Sequence, residues 1–215
     1  MNRTACFLLI FLLISLSGIS QSVAVLKYKG GGDWYSNPTA LPNLVRYCND
    51  NIDTNINEQI DTVEPSNVDL FQYPFLHMTG HGNVFFSEED ARNLRTYLLS
   101  GGFLHIDDNY GMKPYIVKEL KKIFPEKELV NIPNEHPLFS KAFEFSKGLP
   151  KIHEHDGKAP EAKGIFFEDR LVLLCTFETD LGDGWEDQEV HNDPEEIRQK
   201  ALQMGANIIK FAFEN

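Results

Sequence analysis

Cysteine is scarce in this sequence, positive charge is outnumbered, and the usual nucleophile signatures are missing. Each shortage closes off a class of protein. Of three cysteines, Cys6 sits in the N-terminal apolar run, which leaves Cys48 and Cys175 and excludes a dense disulfide framework. Twenty Lys and Arg face 32 Asp and Glu, for a formal charge of −12. That balance argues against nucleic acid and anionic membranes, both of which recruit basic surfaces. G-x-S-x-G and G-x-C-x-G are absent, and H-E-H-D lacks the H-E-x-x-H spacing, so covalent serine or cysteine catalysis is disfavoured. Cys175 falls in an apolar strand pattern, a poor setting for a reactive thiolate. The glycines 30–32 are followed by Asp33 rather than lysine and match neither a P-loop nor a dinucleotide fingerprint.

Long apolar runs are missing beyond the first twenty residues. The run from Ala5 to Ile14 follows Arg3 and is shorter than a membrane span requires. Gly18 and Ser20 are small residues placed for cleavage before Gln21. This predicts an export signal over residues 1–20, a mature domain over 21–215, a periplasmic or secreted destination and no stable membrane span after cleavage. Export permits a disulfide between Cys48 and Cys175, whereas their helix and strand settings suit buried free thiols.

Strand-like and helix-like patterns alternate along the rest of the chain. Strands are expected at 23–28, weakly at 57–63, and at 73–79, 102–108 and 127–133, with a hairpin over 165–178 turning at Glu168-Asp169-Arg170. Leu41, Leu44, Val45 and Cys48 have helical spacing. Ser87 and Asp90 predict a capped helix ending at Gly101-Gly102. Further helices are expected over 114–124 and from Pro194, with Asp193 as cap. The order predicts an α/β fold: a flavodoxin-like, mainly parallel sheet with helices on both faces, plus a late β-hairpin and a polar insertion.

In such a sheet, ligands bind beyond the strand carboxyl ends where strand order reverses. Three polar loops should therefore converge: G-G-G-D-W-Y-S-N, T-G-H-G-N and D-D-N-Y-G. They offer Gly31, Asp33 and Trp34, then His81, then Asp107, Asp108, Asn109 and Tyr110. In-register pairing of F-L-H-M-T-G with F-L-H-I-D-D would set His77 beside His105 and Thr79 beside Asp107 on one face. Those two histidines read as core residues bonded to backbone. P-K-I-H-E-H-D-G, residues 150–157, supplies His153, Glu154, His155 and Asp156. His153 and His155 are a candidate pair of ligands for a divalent metal, with His81, Asp107 or Asp108 as the third. The alternative is a surface turn made by Asp156-Gly157. L-G-D-G-W-E-D-Q-E-V-H-N-D contributes Asp180, Asp183 and Trp185 to the ligand-binding candidates, and lacks the acid spacing of an EF-hand.

The stretches G-G-G-D-W-Y-S-N-P, T-G-H-G, Y-L-L-S-G-G-F-L-H-I-D-D, P-K-I-H-E-H-D-G and L-G-D-G-W-E-D-Q-E-V-H-N-D resemble the bacterial family called domain of unknown function 4159. The likeness runs from about Val25 to Phe213. It implies a sheet of the class I glutamine amidotransferase-like superfamily, related to trehalose-utilisation-type proteins. Where active amidotransferases of that superfamily carry a cysteine elbow, this chain has H-I-D-D-N, which departs from glutaminase chemistry.

Three readings follow. The first is a hydrolase-like enzyme with water as nucleophile and acid–base chemistry from Asp107, Asp108, His81 and His153. The second is a non-catalytic module binding a small polar ligand such as a carbohydrate. The third is an envelope protein that docks a partner through its polar loops. In all three, residues 150–157 are expected to fold over the pocket and bring His153 or His155 within reach of Asp107 or Asp108.

Overall fold

The computed structural model describes residues 20–215. The expected signal, apart from Ser20, lies outside the described residues. Seven strands form one sheet: β1 (Val23–Leu26), β2 (Asp61–Val63), β3 (Phe75–Gly80), β4 (Phe103–Asp108), β5 (Val130–Asn131), β6 (Glu161–Phe167) and β7 (Arg170–Phe177). Their order is β2-β1-β3-β4-β7-β6-β5. The first five in that order run parallel, and β6 and β5 are antiparallel additions. This is the flavodoxin-like α/β arrangement, with the reversal of order between β1 and β3.

Every residue of β3 and β4 is buried. That fits their central place, since a central parallel strand is covered on both faces, and it buries His77, Thr79, His105, Asp107 and Asp108 along with the apolar residues. One face carries α1 (Ala40–Asn51) and the long α6 (Glu195–Glu214), and the other carries α2 (Glu88–Leu99) and α3 (Lys113–Ile123). Two short helices, α4 (Leu181–Trp185) and α5 (Gln188–His191), fill the late polar insertion. Cys48 and Cys175 are free and buried in different apolar clusters, and burial raises both thiols above their ordinary range, Cys48 to about 12.

The expected elements are present with informative differences. The hairpin turns at Glu168 and Asp169, both at positive φ, a conformation suited to a tight two-residue loop. Its first strand starts at Glu161 because Glu161 and Ala162 still pair with Phe177 and Thr176. Asp193 does not cap the last helix. Pro194 holds that position, and the Asp193 carboxylate accepts instead from His153. The α4 helix was not anticipated, because two of its five residues are glycine and no apolar period can be read from it.

Ser87 accepts from the Asp90 N–H, and the Asp90 carboxylate accepts from the Ser87 N–H and hydroxyl. Asp90 is nearly sealed from solvent. Ser87→Ala is therefore expected to cost about 1–2 kcal/mol in urea unfolding. A loss near zero would mean the box contributes nothing net.

Candidate functional site

The polar loops meet at the carboxyl edge of the sheet. Gly30 adopts φ +115, and a Cβ at Gly32 would stand 2.7 Å from the Asn83 carbonyl. The glycine run therefore lies close against the 80–85 loop, while Gly31 is open. Asp33 accepts from the His81 backbone N–H at 2.5 Å and lies 3.0 Å from His81 Nδ1. Burial would raise the Asp33 carboxyl, but the bonds from His81 outweigh it and hold the pKa below its ordinary value. Asp33 and His81 thus satisfy each other at the solvent rim.

Beside this rim lies a cleft of about 270 Å³. Val25 and Thr62 bring β1 and β2 to its wall, His77 and Thr79 bring β3, and Trp34, Asn37 and Leu41 close it from the following loop and α1. It sits at the switch point, where a parallel sheet opens a crevice. Asn37 links the cleft to a second group of residues. Its amide donates to Asp183 at 2.6 Å, and its carbonyl accepts from Thr79 at 3.1 Å and from the Asn109 amide at 2.5 Å.

Asp183 is the hub of that second group. His153 Nδ1 lies 3.0 Å from Asp183 Oδ2 and 3.6 Å from Asp180, while His153 Nε2 lies 3.0 Å from Asp193. His191 Nε2 lies 3.7 Å from Asp183 Oδ1. One ligand atom each from His153, Asp183 and His191 falls within 4.8 Å of the others. Asp180 and Asp183, with Asp193, raise His153 to about 10. Burial works to raise Asp183, but bonds from His153 and Asn37 leave it lowered. A positive charge is thus favoured among these carboxylates. Two imidazoles and a carboxylate form a donor set suited to zinc and similar divalent ions.

The same corner carries backbone strain. Asp180 is at φ +59 with its side chain fully buried, and its Oδ1 has no hydrogen-bond partner among the described residues. Tyr110 adopts φ +122 and stacks on His155 at 4.5 Å between ring centroids. Sparsely populated backbone conformations persist where the surroundings enforce them, and they gather at binding sites.

Several expectations need correction. Residues 150–157 do reach the polar edge, but their histidines bond Asp180, Asp183 and Asp193 rather than Asp107 or Asp108. His155 bonds Asp180 and stays outside the compact ligand group, which brings His191 rather than His155 together with His153 and Asp183. Asp108 accepts from the N–H groups of Tyr110, Met112 and Lys113, which occupies its carboxylate at the start of α3. Asp107 is fully buried, accepting from Thr176 Oγ1 at 2.5 Å and the Gly182 N–H at 2.6 Å. Burial raises it to about 8. Trp185 has no exposed surface: its ring packs on His77 and His105, and its N–H donates to Ala201. It is core, not a ligand platform. Glu154 and Asp156 shape an exposed turn through Gly157 and Lys158, as the turn alternative had it.

The expected register holds, with His77 opposite His105 and Thr79 opposite Asp107. The two histidines are core residues, yet their bonds run to each other and to Thr176 rather than to backbone. Burial lowers both, His77 to about 3, so each is neutral.

The sequence is matched by the family model described as Domain of unknown function (DUF4159) over residues 22–213, and the chain belongs to that family. No curated protein matches it.

Proposed function

We propose that this chain is a hydrolase-like domain in which His153, Asp183 and His191 hold a zinc-type divalent ion that supplies an activated water. The observation that carries the proposal is the convergence of three ligand atoms within 4.8 Å beside a cleft at the sheet's carboxyl edge. Such an ion lowers the pKa of bound water toward about 7 and polarises a carbonyl or phosphoryl oxygen. A small polar ligand in the cleft would lie one residue, Asn37, from the ligating group. The buried Asp180 oxygen without a partner supports the same placement, because an isolated buried carboxylate oxygen is costly unless a cation or donor meets it.

Export to the cell envelope, as the apolar leader suggests, belongs to this proposal. So does kinship with the class I glutamine amidotransferase-like superfamily, in which Asp107-Asp108 would stand in place of the cysteine elbow. The competing reading is a non-catalytic module for a small polar ligand. It is favoured by the sealing of Asp107 and the structural use of Asp108, which leave neither acid free for proton transfer.

Elemental analysis of protein purified without chelator or affinity-tag metal tests the proposal. About one equivalent of zinc, manganese or iron per chain is expected. A protein that is metal-free as isolated and also fails to take up added zinc would overturn it.

A further inference from the structure

The cleft has a feature that the metal proposal does not use. Among the described residues, no Asp, Glu, Lys or Arg lines it. Trp34, Leu41 and Val25 give it apolar surface, and Asn37, Thr79 and His77 give it neutral polar groups. In a chain of charge −12, an uncharged crevice selects for an uncharged occupant, because neither sign of ligand charge finds a partner within it.

His77 belongs to its wall, and His77 Nε2 has no hydrogen-bond partner among the described residues. The other ring nitrogen is already committed. Asp107 meets Thr176 at 2.5 Å, Thr176 Oγ1 meets His105 Nε2 at 3.0 Å, and His105 Nδ1 meets His77 Nδ1 at 3.2 Å. A neutral imidazole carries one N–H, so each bond in this chain fixes the next. When Thr176 donates to Asp107, it accepts from His105, His105 accepts from His77, and Nε2 is left as an acceptor. When the chain runs in the opposite sense, Nε2 is left as a donor. A ligand hydroxyl satisfies either polarity, whereas an ether or a carbonyl satisfies only one.

We propose that this cleft binds an uncharged, hydroxyl-bearing ring compound, about one ring in size, with His77 Nε2 as its buried hydrogen-bond partner. His77 is held in place by the Asp107–Thr176–His105 chain. The proposal deepens the metal-site reading by naming the substrate class, and it rests on that reading for the placement of the reacting end near Asp183.

The test uses protein labelled with ¹⁵N-histidine, observing the ring nitrogens by long-range ¹H–¹⁵N correlation. The probes are myo-inositol and cyclohexanol, with cyclohexanecarboxylate as the charged comparison. The neutral probes are expected to shift His77 Nε2 saturably, to leave His136 unmoved, and to bind roughly tenfold or more weakly to His77→Phe. Cyclohexanecarboxylate is expected to leave His77 unshifted. A His77 signal unmoved by both neutral rings, or moved more strongly by the carboxylate, would overturn the proposal. Because the readout is made on the unsubstituted protein, poor folding of the variant does not remove the test. Metal content is measured on the same samples. Zinc without a His77 response rejects the cleft assignment alone, and a His77 response without metal rejects only the hydrolytic reading.

Discussion

His191→Ala is expected to weaken zinc binding by at least roughly a hundredfold, with the fold intact. Losing even a residue that merely orients a metal ligand costs about 10–100-fold in affinity, and His191 is one of three residues able to ligate directly. Its surroundings make it a clean probe. It is the last residue of the short α5, with its side chain 30% exposed and its ring near His153 rather than in the core. Asp183→Asn should produce a loss of the same size, but Asp183 also accepts from Asn37 and Asn109, so its removal disturbs the cleft wall. Asp156→Asn serves as control, since Asp156 pairs with Lys158 in the exposed turn and takes no part in the ligand group. Zinc affinity would be measured by titration against a competing chelator, with circular dichroism as the check on folding. Equal affinity for the unsubstituted protein and His191→Ala would remove His191 from the site. The ion pairs among His153, Asp180, Asp183 and Asp193 would then be only a structural clasp.

The sheet was legible because its signals are local. F-L-H-M-T-G and F-L-H-I-D-D are apolar runs with the same internal order, and that likeness fixes their register as well as their existence. The S-E-E-D start of α2 is similarly self-contained. The candidate site was legible only in part. The strand-end loops and residues 150–157 could be placed at one edge from topology, but which acid meets which histidine depends on long-range geometry. Asp107 looked available because it ends a strand. In space, Gly182 and Thr176 close over it, and Gly182 comes from a helix with no apolar period. His191 and Asp193 carried a weak signal, being a histidine and an acid two residues apart just before Pro194. Helix capping explained Asp193 too readily. Asn37 carried none: an asparagine before a proline reads as a turn residue, and nothing local indicates that it joins Thr79, Asn109 and Asp183.

Asp107→Asn is expected to stabilise the protein by up to about 5 kcal/mol near pH 9 in metal-free buffer, with the gain vanishing toward about pH 4. The Asp107 carboxyl is raised to about 8 by burial, against bonds from Thr176 and Gly182 that favour the charged form, and the charges of Asp180 and Asp183 add to the rise. The neutral rings of His105 and His77 beyond Thr176 supply no compensating charge. A folded-state pKa above the unfolded value means that the folded chain holds the proton more tightly. The associated stability is fully present below about pH 4, declines as pH rises through about 8, and is flat above. Asparagine avoids that decline. Its carbonyl can accept from the Gly182 N–H and its amide can donate to Thr176, so the shape and both bonds are retained. Urea unfolding of both proteins at about pH 5 and about pH 9 measures the difference. A difference independent of pH would show that Asp107 is not protonated more readily in the folded state. The substitution also commits the Thr176–His105–His77 chain to one sense, leaving His77 Nε2 as a donor. A stabilised variant with altered preference among neutral probes in the cleft would therefore separate two roles of Asp107: it weakens the fold at neutral and alkaline pH, and it keeps both polarities open at His77.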